Sequence, residues 1–112
     1  MPLISIKTSL PEIENQDSLL KELSKKLSVL TSKPEKYVMT LLENNLPMTF
    51  SGNNQPCCFI EIKSIGSLDP ARMSEVISNL ISEKTQIPID RIYINFEDIK
   101  ANKWGFNGGT FG

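Results

Sequence analysis

One pattern occurs twice in this chain, and it restricts the possible folds more than any other feature. Ile4-Ser5-Ile6-Lys7-Thr8 alternates apolar and polar residues, and Ile60-Glu61-Ile62-Lys63-Ser64 repeats that alternation. Period-two alternation marks a strand with one buried face. Each run leads to a helix. The first is expected from about Asp17 to Thr31, with Leu19, Leu20, Leu23, Leu27 and Leu30 on one stripe. The second starts at Asp69-Pro70, an Asp N-cap followed by a proline at a position where its missing N–H costs nothing. Met73, Val76, Ile77, Leu80 and Ile81 then recur at helical spacing. Both helices stop before a proline, Pro34 and Pro88, and a second strand follows each: one through about Leu42, the other over Tyr93-Ile94-Asn95-Phe96.

Two β-α-β units therefore give an α+β fold, with a four-stranded mixed sheet and both helices on one face. Strands within a unit run parallel because a crossover helix joins them. The chain reads as one domain over residues 1–112, with pseudo-repeats at about 1–50 and 56–100 and a C-terminal segment at 101–112. The turn-rich Ser51-Gly52-Asn53-Asn54-Gln55-Pro56 separates the repeats. Two helices cover only one face of such a sheet, and the other face carries apolar residues as well. A small chain hides that face most simply against copies of itself. In the last segment, Trp104, Phe106 and Phe111 alternate with four glycines. Flexible tails are poor in aromatics, so a turn or short hairpin that lines a pocket or packs on a neighbour is expected.

Composition removes several classes of function. Lys plus Arg number 12 and Asp plus Glu 13, for a net charge of −1. No concentrated basic face exists for a phosphate backbone, so no nucleic-acid partner is expected. No apolar stretch approaches the roughly 20 residues of a membrane span, and no basic flank with a long apolar run opens the chain. No membrane partner is expected, and a cytoplasmic location is. Cys57 and Cys58 are adjacent, so an unstrained disulfide between them is disfavoured, and they read as buried small hydrophobes. With two cysteines and no histidine, a structural zinc site is effectively excluded; no metal and no cofactor are expected.

The absence of histidine also narrows the acid–base chemistry. Pro2 follows the initiator Met, and a small residue there favours removal of Met1, leaving a free secondary amine. An α-amine titrates at roughly 7.7–8.0, closer to neutrality than Asp, Glu, Lys or Tyr. The proline ring fixes where its lone pair points, and the strand that follows anchors it. Pro2 is therefore a candidate general base. A retained Met1 would turn its nitrogen into an amide with no available lone pair.

Taken together, Met1-Pro2, Ser32-Lys33-Pro34 with Tyr37, Gln55-Pro56-Cys57, Ser64-Ile65-Gly66, Asp90-Arg91-Ile92-Tyr93-Ile94-Asn95 and Thr110-Phe111 are in matching order and spacing. In these segments the chain resembles the macrophage migration inhibitory factor family of the tautomerase superfamily, over essentially its whole length. The resemblance implies a homotrimer with sites between subunits. It also implies keto–enol tautomerisation of arylpyruvates such as phenylpyruvate, a small-molecule keto acid substrate, with Pro2 as base. By the same resemblance Lys33 binds the substrate carboxylate, helped by Ser64 and the backbone N–H of Ile65. Tyr93 and Asn95 match pocket residues contributed by the adjoining subunit. Tyr37, Phe111 and one of the late aromatics, Trp104 or Phe106, match the apolar walls.

The family's cytokine members carry a C-x-x-C beginning at the position of Cys57; here its last position is Ile60. Glu12 and Asn45 stand where those cytokines have an Arg and an Asp thought to contact receptors. Neither thiol-oxidoreductase activity nor cytokine-like signalling is carried over. The alternative to the enzyme is a non-catalytic trimeric protein-binding or signalling module that keeps the fold and the pocket. Retention of Pro2, Lys33, Tyr93 and Asn95 favours the enzyme.

Overall fold

The computed structural model describes residues 1–112. Strand β1 (Leu3–Thr8) leads to helix α1 (Gln16–Thr31) and then to strand β2 (Met39–Glu43). Strand β3 (Cys58–Ser64), helix α2 (Pro70–Thr85) and strand β4 (Ile92–Asp98) repeat that order. The sheet runs β2-β1-β3-β4. β1 is parallel to β2, β3 is parallel to β4, and the two halves join through an antiparallel β1–β3 pair. The parallel pairs are those the crossovers require; the antiparallel seam places the first strand of each unit at the centre.

The alternation read from the sequence is the burial pattern observed. Ile4 and Ile6 of β1 and Ile60 and Ile62 of β3 are buried beneath the helices. Leu19, Leu23 and Leu27 of α1 and Met73, Ile77, Leu80 and Ile81 of α2 close that layer. Each such Leu or Ile contributes about 1.5–3 kcal/mol relative to exposure. Leu20, Leu30 and Val76, on the same stripes, are half-buried. The Asp69 side chain accepts from the N–H of Arg72 at 3.5 Å, with Pro70 as the first helical residue. α1 ends at Ser32, whose φ of 55° is left-handed, and the N–H groups of Ser32 and Lys33 return to the carbonyls of Val29 and Ser28.

After each helix the proline opens one 3₁₀ turn before the strand, at Glu35–Tyr37 and at Ile89–Arg91. Sequence periodicity gives no sign of these turns, which are too short to carry a repeat. The uncovered face mixes Leu3, Met39, Leu41, Phe59 and Tyr93 with Ser5, Lys7, Glu61, Lys63 and Asn95. Lys63 and Glu97 pair across it at 3.6 Å.

The C-terminal segment forms a hairpin of β5 (Gly105–Phe106) and β6 (Gly109–Thr110). Its turn is Asn107-Gly108, both at positive φ (52° and 79°), the conformation a two-residue hairpin loop selects. Cys57 and Cys58 are both buried and free. Alternation does not send them to opposite environments, because Cys57 precedes the strand, where its N–H meets the Ser9 hydroxyl and its carbonyl accepts from Thr8. No helix is long and apolar enough to cross a membrane.

Candidate active site

Pro2 sits where the first strand begins. It is buried, and its carbonyl accepts from the N–H of Met39 at 3.1 Å, tying the chain start to β2. The β1–β3 register pairs Leu3 with Lys63, so Pro2 falls opposite Ser64, on the helix-covered side shared with Ile4 and Ile62. Ser64 is fully buried, and its hydroxyl has no hydrogen-bond partner. Few buried polar atoms are left in that condition. Ile65 follows at half burial, and the chain then turns at Gly66, whose φ is 68° and whose N–H is held by Asp98 at 2.9 Å.

Lys33 reaches the same end of the sheet from α1. Its carbonyl accepts from the Ser28 hydroxyl and its N–H donates to the Ser28 carbonyl, so its backbone is fixed from two sides. The α-amine of the chain, carried here by Met1, is held below the ordinary α-amino value, first by burial and second by the Lys33 cation. Both causes disfavour the protonated form.

Beside this terminus lies a cleft of about 280 Å³, walled mainly by Met1, Tyr37, Met39, Trp104, Phe106 and Phe111, with Leu3, Lys36, Val38 and Gly105 completing it. Phe106 and Phe111 stack at 5.1 Å with an interplanar angle of 7°. Tyr37 meets each of them edge-on, at 5.5 and 5.8 Å. This pairing fixes the hairpin against the turn that follows α1. Trp104 and Phe106 both line the cleft, so the choice between them does not arise. Lys36 stands over the Tyr37 ring at 5.0 Å. Met39 and Lys36 were not singled out in the sequence; their proximity to Tyr37 in a segment leading out of a turn is the only signal they carry. Lys33 is not part of this wall. Met1 is.

Tyr93 and Asn95 are elsewhere. They share the uncovered face of β4, both exposed, and pair in register with Phe59 and Glu61, which pair in turn with Lys7 and Ser5. Two strand spacings sideways and three to five residues along place them on the order of 14–19 Å from Pro2 of the same chain, on the opposite face. One chain thus brings Pro2, Lys33, Ser64, Ile65, Tyr37, Phe106 and Phe111 to one end of the molecule and leaves Tyr93 and Asn95 outside that group. No group of three or more metal-ligating side chains comes together.

The family model described as macrophage migration inhibitory factor matches residues 1–112. The chain is 35% identical over 114 residues to the macrophage migration inhibitory factor of Mus musculus, with 99% of each covered. It is 35% identical over 115 residues to the homolog from Brugia malayi, with 100% of both covered. Among solved structures, the homologue from Prochlorococcus marinus is similar with a TM-score of 0.94 at 54% identity, over 98% of this chain and 99% of that one. Matched by the family model over residues 1–112 and by these relatives over nearly all of its length, the chain belongs to the macrophage migration inhibitory factor family.

Proposed function

We propose that the protein is a keto–enol tautomerase of arylpyruvates such as phenylpyruvate, working as a homotrimer with Pro2 as general base. The observation that carries this reading is a buried Pro2 in register with the orphan Ser64 hydroxyl, next to a chain-terminal amine that feels the Lys33 cation and borders an aromatic cleft. Moving a proton from carbon to oxygen needs a base poised near working pH. With Met1 removed, the Pro2 amine inherits the environment that depresses the α-amine here, so more of it is neutral at pH 7 than in an ordinary terminus. Lys33 takes the substrate carboxylate, helped by Ser64 and the Ile65 N–H. Tyr37, Phe106, Phe111 and Trp104 take the aryl ring. The β-carbon is then held at the proline nitrogen, which takes its proton; the C–H electron pair forms the carbon–carbon double bond, the carbonyl π pair moves to oxygen, and that oxygen takes a proton from water. In the reverse direction the protonated amine gives its proton to the β-carbon as the enol oxygen loses its own to water.

Tyr93 and Asn95 complete the pocket of a neighbouring subunit. Their distance from Pro2 in their own chain supports a site shared between copies, as does the partly apolar face that the helices leave open. Pro2-terminal protein is expected to accelerate loss of the phenylpyruvate enol absorbance, and a halopyruvate is expected to label Pro2, located by peptide mass spectrometry. Absence of both acceleration and labelling contradicts the assignment.

A further inference from the structure

Arg91 immediately precedes β4, is 8% exposed and has no carboxylate partner. A buried charge is costly unless its donors are paired. Here neutral carbonyls pair them. Nε donates to Pro56 at 2.9 Å, Nη1 to Phe50 at 3.3 Å and Nη2 to Gln55 at 2.8 Å. All three acceptors lie on one loop, which turns at Ser51 and Gly52 with φ of 55° and 76°. The loop is closed by reciprocal Phe50–Asn53 hydrogen bonds of 2.9 and 3.2 Å. The same guanidinium stands 5.2 Å from the Phe50 ring, and that ring packs at 4.6 Å, tilted 56°, on Tyr93. Tyr93 is otherwise 64% exposed on an open sheet face.

We propose that Arg91 and Phe50 are positioning residues for Tyr93: Arg91 fixes the loop, and Phe50 braces the phenol in the orientation in which it enters the neighbouring subunit's pocket. This rests on the reading that Tyr93 serves that pocket. An exposed aromatic ring loses rotamer freedom when it closes on a ligand. A ring already braced has lost it in advance. Arg91 and Phe50 lie with Tyr93, away from Pro2 and Lys33, so disturbing the brace weakens substrate binding and leaves the proton transfer intact.

The experiment uses full-length, Pro2-terminal protein. Phe50→Leu removes the ring and keeps the loop anchored; Arg91→Lys keeps the charge and loses the planar fork. The chain has only two tyrosines, so 3-fluorotyrosine labelling gives two ¹⁹F resonances, and Tyr93→Ala assigns them. Phe50→Leu is expected to shift the Tyr93 resonance and to raise KM for phenylpyruvate about two- to tenfold, the range of an aromatic pair, with kcat unchanged. The KM effect of Phe50→Leu is expected to vanish in the Tyr93→Ala background. Arg91→Lys is expected to change KM in the same direction.

An unmoved Tyr93 resonance overturns the brace whether or not the protein is active. Additive effects of Phe50→Leu and Tyr93→Ala overturn it too, as does a parallel loss of kcat and assembly mass, the mark of a purely structural role. Unchanged KM in Tyr93→Ala, with Pro2-dependent activity present, instead removes Tyr93 from the pocket; the inference then falls with that assignment while Pro2 stands.

Discussion

Lys33→Ala separates two contributions from one side chain. The backbone of Lys33 is held to Ser28 through both its N–H and its carbonyl, and the side chain enters no ion pair. Truncation therefore leaves the end of α1 in place, and the stability change is expected within about 0.5 kcal/mol, as at other sites outside the core. Binding changes more. A charge-assisted hydrogen bond to a carboxylate is worth about 1.5–3 kcal/mol, so KM for phenylpyruvate rises about ten- to a hundredfold, with a smaller fall in kcat.

The second contribution acts through the base. Lys33 is the lesser of the two causes that depress the terminal amine, burial being the greater. If Pro2 takes over the surroundings of the Met1 amine, as proposed, removing the cation is expected to raise its pKa toward the ordinary α-amino value. The acidic limb of kcat/KM against pH then moves to higher pH. The deficit of the variant grows as pH falls and levels off at the binding deficit once both amines are neutral. Steady-state kinetics from about pH 5 to 9 read both effects. Unchanged kcat/KM would reduce Lys33 to a surface lysine; raised KM with an unmoved limb would confine it to binding.

Leu23 is fully buried under the sheet, so Leu23→Ala is expected to cost about 2–5 kcal/mol, read as a lower urea midpoint at fixed protein concentration. A loss under about 1 kcal/mol contradicts the packing described. Ser64→Ala removes an orphan buried hydroxyl, so the Met1-bearing protein should gain up to about 1–3 kcal/mol, while KM of the Pro2-terminal enzyme rises. Lower stability would show that the hydroxyl has a partner. Burial, and secondarily Cys57, pushes the Cys58 thiol up to about 12. Neither cysteine is expected to react with a disulfide reagent at pH 8 until the protein is denatured; fast labelling of the native protein contradicts that burial.

The fold was legible because burial here follows period. Ile4, Ile6, Ile60 and Ile62 face the helices as their alternation requires, and the Leu19–Leu23–Leu27 stripe meets them. Which strands form the antiparallel seam of the expected mixed sheet, β1 and β3, was not legible, since alternation fixes which face of a strand is buried and says nothing of its neighbour. The site was legible unevenly. Pro2 stood out by chemistry, in a chain with no histidine. Lys33, Ser64 and Ile65 carry no local signature and were reached only through resemblance; their gathering around Pro2 depends on the β1–β3 register and on the end of α1. Arg91 read as part of a motif, and its burial against three loop carbonyls has no counterpart in sequence spacing.

The most direct measurement compares two preparations that differ only in Met1, each verified by intact mass, in the phenylpyruvate assay. Acylation turns the proline amine into an amide whose lone pair is delocalised into the carbonyl. With equal melting curves and equal assembly mass by light scattering, the Pro2-terminal protein is expected to be active. The Met1-bearing protein is expected to be slower by about 10²–10⁴, the usual contribution of a positioned base. Equal activity in the two preparations would contradict Pro2 as the base.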